Sequence, residues 1–137
     1  MNIARLLPRF RDAYRSIATL AAREMWSRAD IEQYQLARLN ETWQHAIGNV
    51  PYYRNMTASR HLPTQFASLD EFRSSVPPLE KALVRDEPGR FLSEQSTRGH
   101  WGRTSGSTGV TTRVFWEHSA HLTSLRCRYR FLNVWRV

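Results

Sequence analysis

The chain has 137 residues, 41% hydrophobic and 12% aromatic, with a formal net charge of +8. That length suits one small domain, and five Trp, five Tyr and six Phe exclude the aromatic-poor composition of a disordered chain. The basic residues are all arginine except Lys81 and are spread without a dense run, so they read as solvated helix faces rather than as a nucleic-acid or anionic-membrane footprint.

Cys127 is the only cysteine, which excludes a disulfide framework and fits a reducing, cytoplasmic setting. A catalytic thiol needs an activating partner; none can be read around Cys127, so a structural role is expected. No apolar run reaches the ~20 residues of a membrane span, and the first residues lack the unbroken apolar stretch of a signal peptide.

From Ile3 to Trp26, Ile3, Leu6, Leu7, Phe10, Ile17, Leu20, Ala21 and Met25 recur at helical spacing, with Arg5, Arg9, Arg11, Arg15 and Arg23 opposite. Such a pattern fits an interfacial helix, an Arg-rich transit peptide or an amphipathic helix packed on its own protein; the last is the commoner use and is the expectation. Ser27 then stands as an N-cap with Asp30 three residues on, a partial capping box. The second helix carries Ile31, Leu36, Leu39, Trp43, Ala46 and Ile47 as its apolar stripe, with Gly48 at its C′ position and Pro51 beyond the stop. Tyr52, Tyr53 and Arg54 could stack on bases, but packing at a helix start is the expectation.

His61 to Gln65 reads as a loop. Ser68-Leu69-Asp70-Glu71 is a capping box before a short helix over about residues 69–74. Pro77-Pro78 breaks the chain, residues 79–85 could make two helical turns, and Pro88-Gly89 ends them. Lys81 is expected to be a surface lysine. Thr97 to Arg103 and Thr111 to Glu117 read as strands, the second better supported because Val114-Phe115-Trp116 is apolar and β-prone. His118 to Val137 reads as a helix. His118 and His121 share a face at i, i+3, but no third ligand is evident and no metal site is expected.

Between the two strands lies Thr104-Ser105-Gly106-Ser107-Thr108-Gly109, two glycines and four hydroxyls without a charge. Gly allows positive φ and close approach of a ligand to the backbone. Successive N–H groups can form an anion-binding nest, and hydroxyls add donors for phosphate oxygens. On composition alone a flexible connector remains open. Val110 stands where a Walker A loop needs Lys, and no Gly-x-Gly-x-x-Gly occurs.

Thr104 to Gly109 resembles the Ser/Thr/Gly signature of the adenylate-forming superfamily. Val50-Pro51-Tyr52-Tyr53-Arg54, Ser68-Leu69-Asp70-Glu71-Phe72 and Val76-Pro77-Pro78-Leu79-Glu80-Lys81 are similar, in the same order, to segments of its phenylacetate–CoA ligase branch and capsular-polysaccharide-biosynthesis relatives. Thr111 departs from the Pro usual in that family. The resemblance implies an α/β fold whose N-terminal part, mostly helical with a short β-hairpin around the loop, comprises residues 1–88 (helical) and 89–137 (the start of the nucleotide-binding part). It implies ATP-dependent activation of a carboxylic acid as an acyl-adenylate, with Mg²⁺ on the phosphates and coenzyme A as a possible acceptor. Thr104, Ser105, Gly106, Ser107, Thr108 and Gly109 would hold the ATP phosphates. The family's adenine segment, ribose-binding acid and catalytic lysine would lie beyond Val137. The expectation is therefore a fragment inactive alone, which oligomerises or needs a complementing polypeptide. The alternative is a small basic helical module that binds nucleic acid or an anionic surface without catalysis.

Overall fold

The Ser27–Asp30 capping box forms. Ser27 Oγ accepts from Asp30 N at 3.2 Å, while Asp30 Oδ2 accepts from Ser27 N at 3.2 Å and from Ser27 Oγ at 2.6 Å. It opens α1 (Arg28–Asn49). In this computed structural model the described residues are 19–105, 111–118, 120 and 124. Residues 32–117 form one compact unit; of the second unit, the structure describes residues 19–31, 118, 120 and 124. The helix expected from Ile3 lies outside the described residues up to residue 18; residues 19–22 are helical and lead into a 3₁₀ turn, Arg23–Met25.

The order after α1 is α2 (Pro51–Arg60), α3 (Leu69–Ser75), α4 (Lys81–Asp86), a 3₁₀ turn (Pro88–Phe91), β1 (Gly99–Arg103) and β2 (Arg113–Glu117). The architecture is mixed, mostly helical with a two-stranded antiparallel sheet. Among the described residues no helix is long and apolar enough to cross a membrane.

Gly48 does not end α1, contrary to the sequence expectation. The helix runs through it to Asn49, and Val50, extended at φ −114° and ψ 115°, caps α2 with Pro51 in its first turn. Two other groups take the terminal carbonyls that a glycine C-cap would otherwise satisfy. Arg54 Nη2 donates to Gly48 O at 2.6 Å and Glu94 N donates to Asn49 O at 2.8 Å. The left-handed residue is instead His61, at φ 53° just past α2. Leu62 N donates to Thr57 O there at 3.1 Å, the longer bond of a Schellman ending.

α1, α2 and the loop after α2 enclose the core. Trp43, Met56 and Phe66 are buried, with Leu36, Ile47, Tyr52, Tyr53, Leu62, Phe72 and Val76 packed around them. Ile31, assigned to the same stripe by spacing, is 39% exposed. The loop is pinned by α1. Phe66 N donates to Asn40 Oδ1 at 2.8 Å, Asn40 Nδ2 donates to Phe66 O at 2.9 Å, and Trp43 Nε1 donates to Pro63 O at 2.8 Å. Ser68 then caps α3, its Oγ accepting from Glu71 N at 3.0 Å, while Glu71 Oε2 accepts from Ala67 N at 2.6 Å. α4 starts at Lys81 rather than Leu79 because extended backbone persists past Pro77-Pro78 to Glu80, at φ −71° and ψ 130°. Pro88 pushes Glu87 out of the helical region and begins a 3₁₀ turn that sequence reading missed.

Residues 88–94 are tied back to the α1–α2 junction. Phe91 lies 4.5 Å from Tyr52 between ring centroids, and the Arg90 guanidinium sits 5.7 Å from the Tyr52 ring. Arg54 forms a fork on Glu94, Nη2 to Oε2 at 2.7 Å and Nη1 to Oε1 at 3.3 Å. That hydrogen bonding, and then the guanidinium charge, hold the Glu94 carboxyl below its usual pKa against the opposing effect of desolvation.

Two outcomes are expected. Asn40→Ala should cost about 2–4 kcal/mol in urea unfolding, since two hydrogen bonds are lost and the Phe66 peptide groups stay buried without partners. The Arg54–Glu94 contribution should be fully present above the unfolded-state carboxylate pKa and lost as pH falls through the lower folded value. The protection factor of the Glu94 amide, corrected for the intrinsic exchange rate, should fall over that window in the parent chain, and Glu94→Gln should remove that loss.

Candidate functional site

β1 and β2 pair with Gly99 opposite Glu117, His100 opposite Trp116, Trp101 opposite Phe115, Gly102 opposite Val114 and Arg103 opposite Arg113. Sequence reading placed the Ser/Thr/Gly loop between two strands, and this ladder does so, each strand starting two residues later than expected. Because side chains alternate, Trp101, Arg103, Arg113 and Phe115 share one face and His100, Gly102, Val114 and Trp116 the other. The Trp101 and Phe115 rings meet edge to face, centroids 5.5 Å apart. Two glycines make room for aromatic side chains. A Cβ at Gly99 would meet Trp116 O at 2.4 Å and the Phe115 ring at 2.6 Å, and one at Gly102 would meet the Trp116 indole at 3.0 Å.

Thr104 closes the neck of the loop. Its N–H donates to Thr112 O at 3.0 Å, and its Oγ1 accepts from Thr112 N at 3.0 Å. One oxygen lone pair of the first hydroxyl in the motif is thus committed to closing the turn; its O–H is still a donor. Thr112 is buried at 7% exposure and its hydroxyl has no hydrogen-bond partner. Thr104 and Ser105 are exposed, while Gly106, Ser107, Thr108 and Gly109 lie outside the described residues. Arg113 stacks on Trp101, its guanidinium carbon 4.9 Å from the ring centroid.

Elsewhere the chemistry is structural. His45 Nε2 lies 3.2 Å from Ser93 Oγ, a spacing that a nucleophile–base pair would show. Which of the two donates is set by the imidazole tautomer. Asn49 Nδ2 donates to His45 O at 2.9 Å, which fixes the amide orientation, and the same nitrogen lies 3.3 Å from His45 Nδ1. Lys81 is exposed at the start of α4. His121 and Cys127 lie outside the described residues; among those described, no group of His, Cys, Asp and Glu could hold a metal ion. Tyr52 and Tyr53 pack at the start of α2, as expected, with Tyr53 raised in pKa by burial first and by Tyr52 second.

Comparison of the chain with family models, with curated proteins and with solved structures finds no match.

Gly99→Ala should disrupt the hairpin at a cost of about 1–3 kcal/mol, the usual range for overpacking. Amide protection should fall across the two strands while the signals of Trp43 and Phe66 stay in place.

Proposed function

We propose that the hairpin loop from Thr104 to Gly109 is a phosphate-binding element, and that the chain is similar in this part to adenylate-forming ligases of the phenylacetate–CoA ligase branch. One observation carries the reading: a run of four hydroxyls and two glycines is mounted between paired antiparallel strands and closed at its neck by Thr104 and Thr112. A loop held at both ends keeps its donors together, which reduces the ordering cost of binding. A free Ser/Gly connector needs no such closure.

In this reading, backbone N–H groups and hydroxyls of Thr104, Ser105, Gly106, Ser107, Thr108 and Gly109 surround the β- and γ-phosphates of ATP. Their work is electrostatic: they position the pyrophosphate and stabilise its charge as it leaves. Mg²⁺ suits the phosphate oxygens of such a ligand better than an all-protein cage. A carboxylate would attack the α-phosphorus as the bond to pyrophosphate breaks, and a thiol such as that of coenzyme A would then displace AMP from the acyl-adenylate. Within these residues the reading assigns phosphate binding and no acid pocket, so binding rather than turnover is the direct test.

Titration of the chain with Mg·ATP should shift the amide resonances of Thr104, Ser105 and Thr112. Gly106→Val should abolish the shift by blocking close backbone approach, with the helical core intact. Thr108→Ala should weaken binding by about 1–3 kcal/mol, the value of a hydroxyl hydrogen bond to a charged partner. Unchanged Mg·ATP affinity in Gly106→Val overturns the reading.

A further inference from the structure

Several arginines sit beside a carboxylate: Arg38 with Glu41, Arg54 with Glu94, Arg73 with Asp70, Arg85 with Asp86 and Arg90 with Glu87. The last rung of the hairpin is different. Arg103 and Arg113 are directly opposite each other, at the end of the ladder nearest the loop. Thr104 N bonds to Thr112 O one step further on, so the alternation of an antiparallel ladder makes Arg103–Arg113 a non-hydrogen-bonded pair, the kind whose side chains lie closer. Both residues are exposed, and neither has a carboxylate partner among the described residues. Like charges so placed destabilise a sheet.

We infer that Arg103 and Arg113 together form an anion clamp that holds a diphosphate or triphosphate group at the mouth of the hairpin. The inference rests on the phosphate-binding reading of the loop and adds to it the two side chains that neutralise the ligand. A guanidinium offers a rigid fork of donors that matches phosphate oxygens two at a time. Two forks side by side suit adjoining phosphoryl groups, whose charge relieves the repulsion between the cations. Arg113 is already aimed: its guanidinium rests on the face of Trp101 at 4.9 Å, an attraction that limits the freedom lost on binding. Arg103 has no such anchor, so Arg113 is the fixed arm of the clamp and Arg103 the adaptable one. A monophosphate engages one fork fully and gains less from the second.

The test is calorimetric titration of the full chain with inorganic pyrophosphate at constant ionic strength, with sulfate and AMP in parallel. Arg103→Gln and Arg113→Gln should each weaken pyrophosphate binding about tenfold or more, the equivalent of one charge-assisted contact. Arg60→Gln, which removes an exposed positive charge in the last turn of α2, should leave it within about twofold, because Arg60 is on neither strand of the hairpin and salt screens interactions between exposed charges. Melting of the ligand-free Arg103→Gln chain should be no earlier than that of the parent, since it relieves a repulsion; Arg113→Gln relieves the same repulsion but loses the contact with Trp101, and a retained cooperative melt shows that it folds. Arg113→Lys should bind between the parent and Arg113→Gln, keeping the charge without the fork. Absence of pyrophosphate binding by the parent chain overturns the inference. So does sulfate or AMP binding as tightly as pyrophosphate, or equal losses in Arg60→Gln and the hairpin variants. If Gly106→Val abolishes binding and the two Gln variants do not weaken it, the loop reading stands and the clamp falls. If the Gln variants weaken it and Gly106→Val does not, the clamp stands and the loop reading falls.

Discussion

One side-chain amide holds the helical part together. Asn40 projects from α1 and makes two hydrogen bonds to the peptide groups of Phe66, one in each direction. The loop over residues 61–67 has no strand partner, so a buried Phe66 would leave its own N–H and C=O unpaired at a cost of about 1–3 kcal/mol each. Asn supplies one donor and one acceptor on a planar group, which lets it act as the missing neighbour in a ladder. With that bond made, the Phe66 ring enters the core at 2% exposure, 5.5 Å from Trp43 and 5.2 Å from Phe72. An ionised Asp only accepts and an apolar residue does neither, so neither at position 40 could satisfy both peptide groups. The burial of the largest fully enclosed side chain therefore depends on a polar one.

The same logic recurs at the end of α1. Helix termini leave carbonyls without intrahelical donors, and here they recruit distant parts of the chain. Gly48 O takes Arg54 and Asn49 O takes the Glu94 amide; Arg54 in turn holds the Glu94 carboxylate. Exposed ion pairs contribute little on their own. This one works with a backbone bond and the Tyr52–Phe91 stack, so three weak contacts fix one point. That point matters because Glu94 lies only a few residues before β1. The hairpin begins from a position set by the helices.

Local signals were legible because both members of each interaction lie within one turn. Ser27 with Asp30 and Ser68 with Glu71 announce helix starts and make the capping bonds those residue types predict. Val114-Phe115-Trp116 announces a strand, and Trp43 announces the buried face of α1. Non-local partners left no such trace. Asn40 looks like any polar residue on a helix, since the peptide it serves is 26 positions away. Gly48 looks like a helix terminator until Arg54 and Glu94 are in place. His61 takes the left-handed conformation without being Gly or Asn. The Arg103–Arg113 pair is invisible in sequence because it exists only in one strand register. Of the candidate site, the hairpin setting was legible, while the use of Thr104 to close the neck was not.

That register is enforced by steric fit as much as by hydrogen bonds. Sliding one strand by a single residue would exchange the two faces. The Phe115 ring would then lose the gap above Gly99, and Trp116 the gap above Gly102. The two aromatic–glycine contacts lie on opposite faces, so no slip can preserve both. A sheet of two strands has little stability to spare, yet this one accepts paired positive charges at the end where the hydroxyl-rich loop is attached. The glycine and aromatic pattern along the ladder holds the register that brings those charges together. The position of the cationic pair is thus fixed by packing along the ladder, from Gly102 one rung away to Gly99 four rungs away.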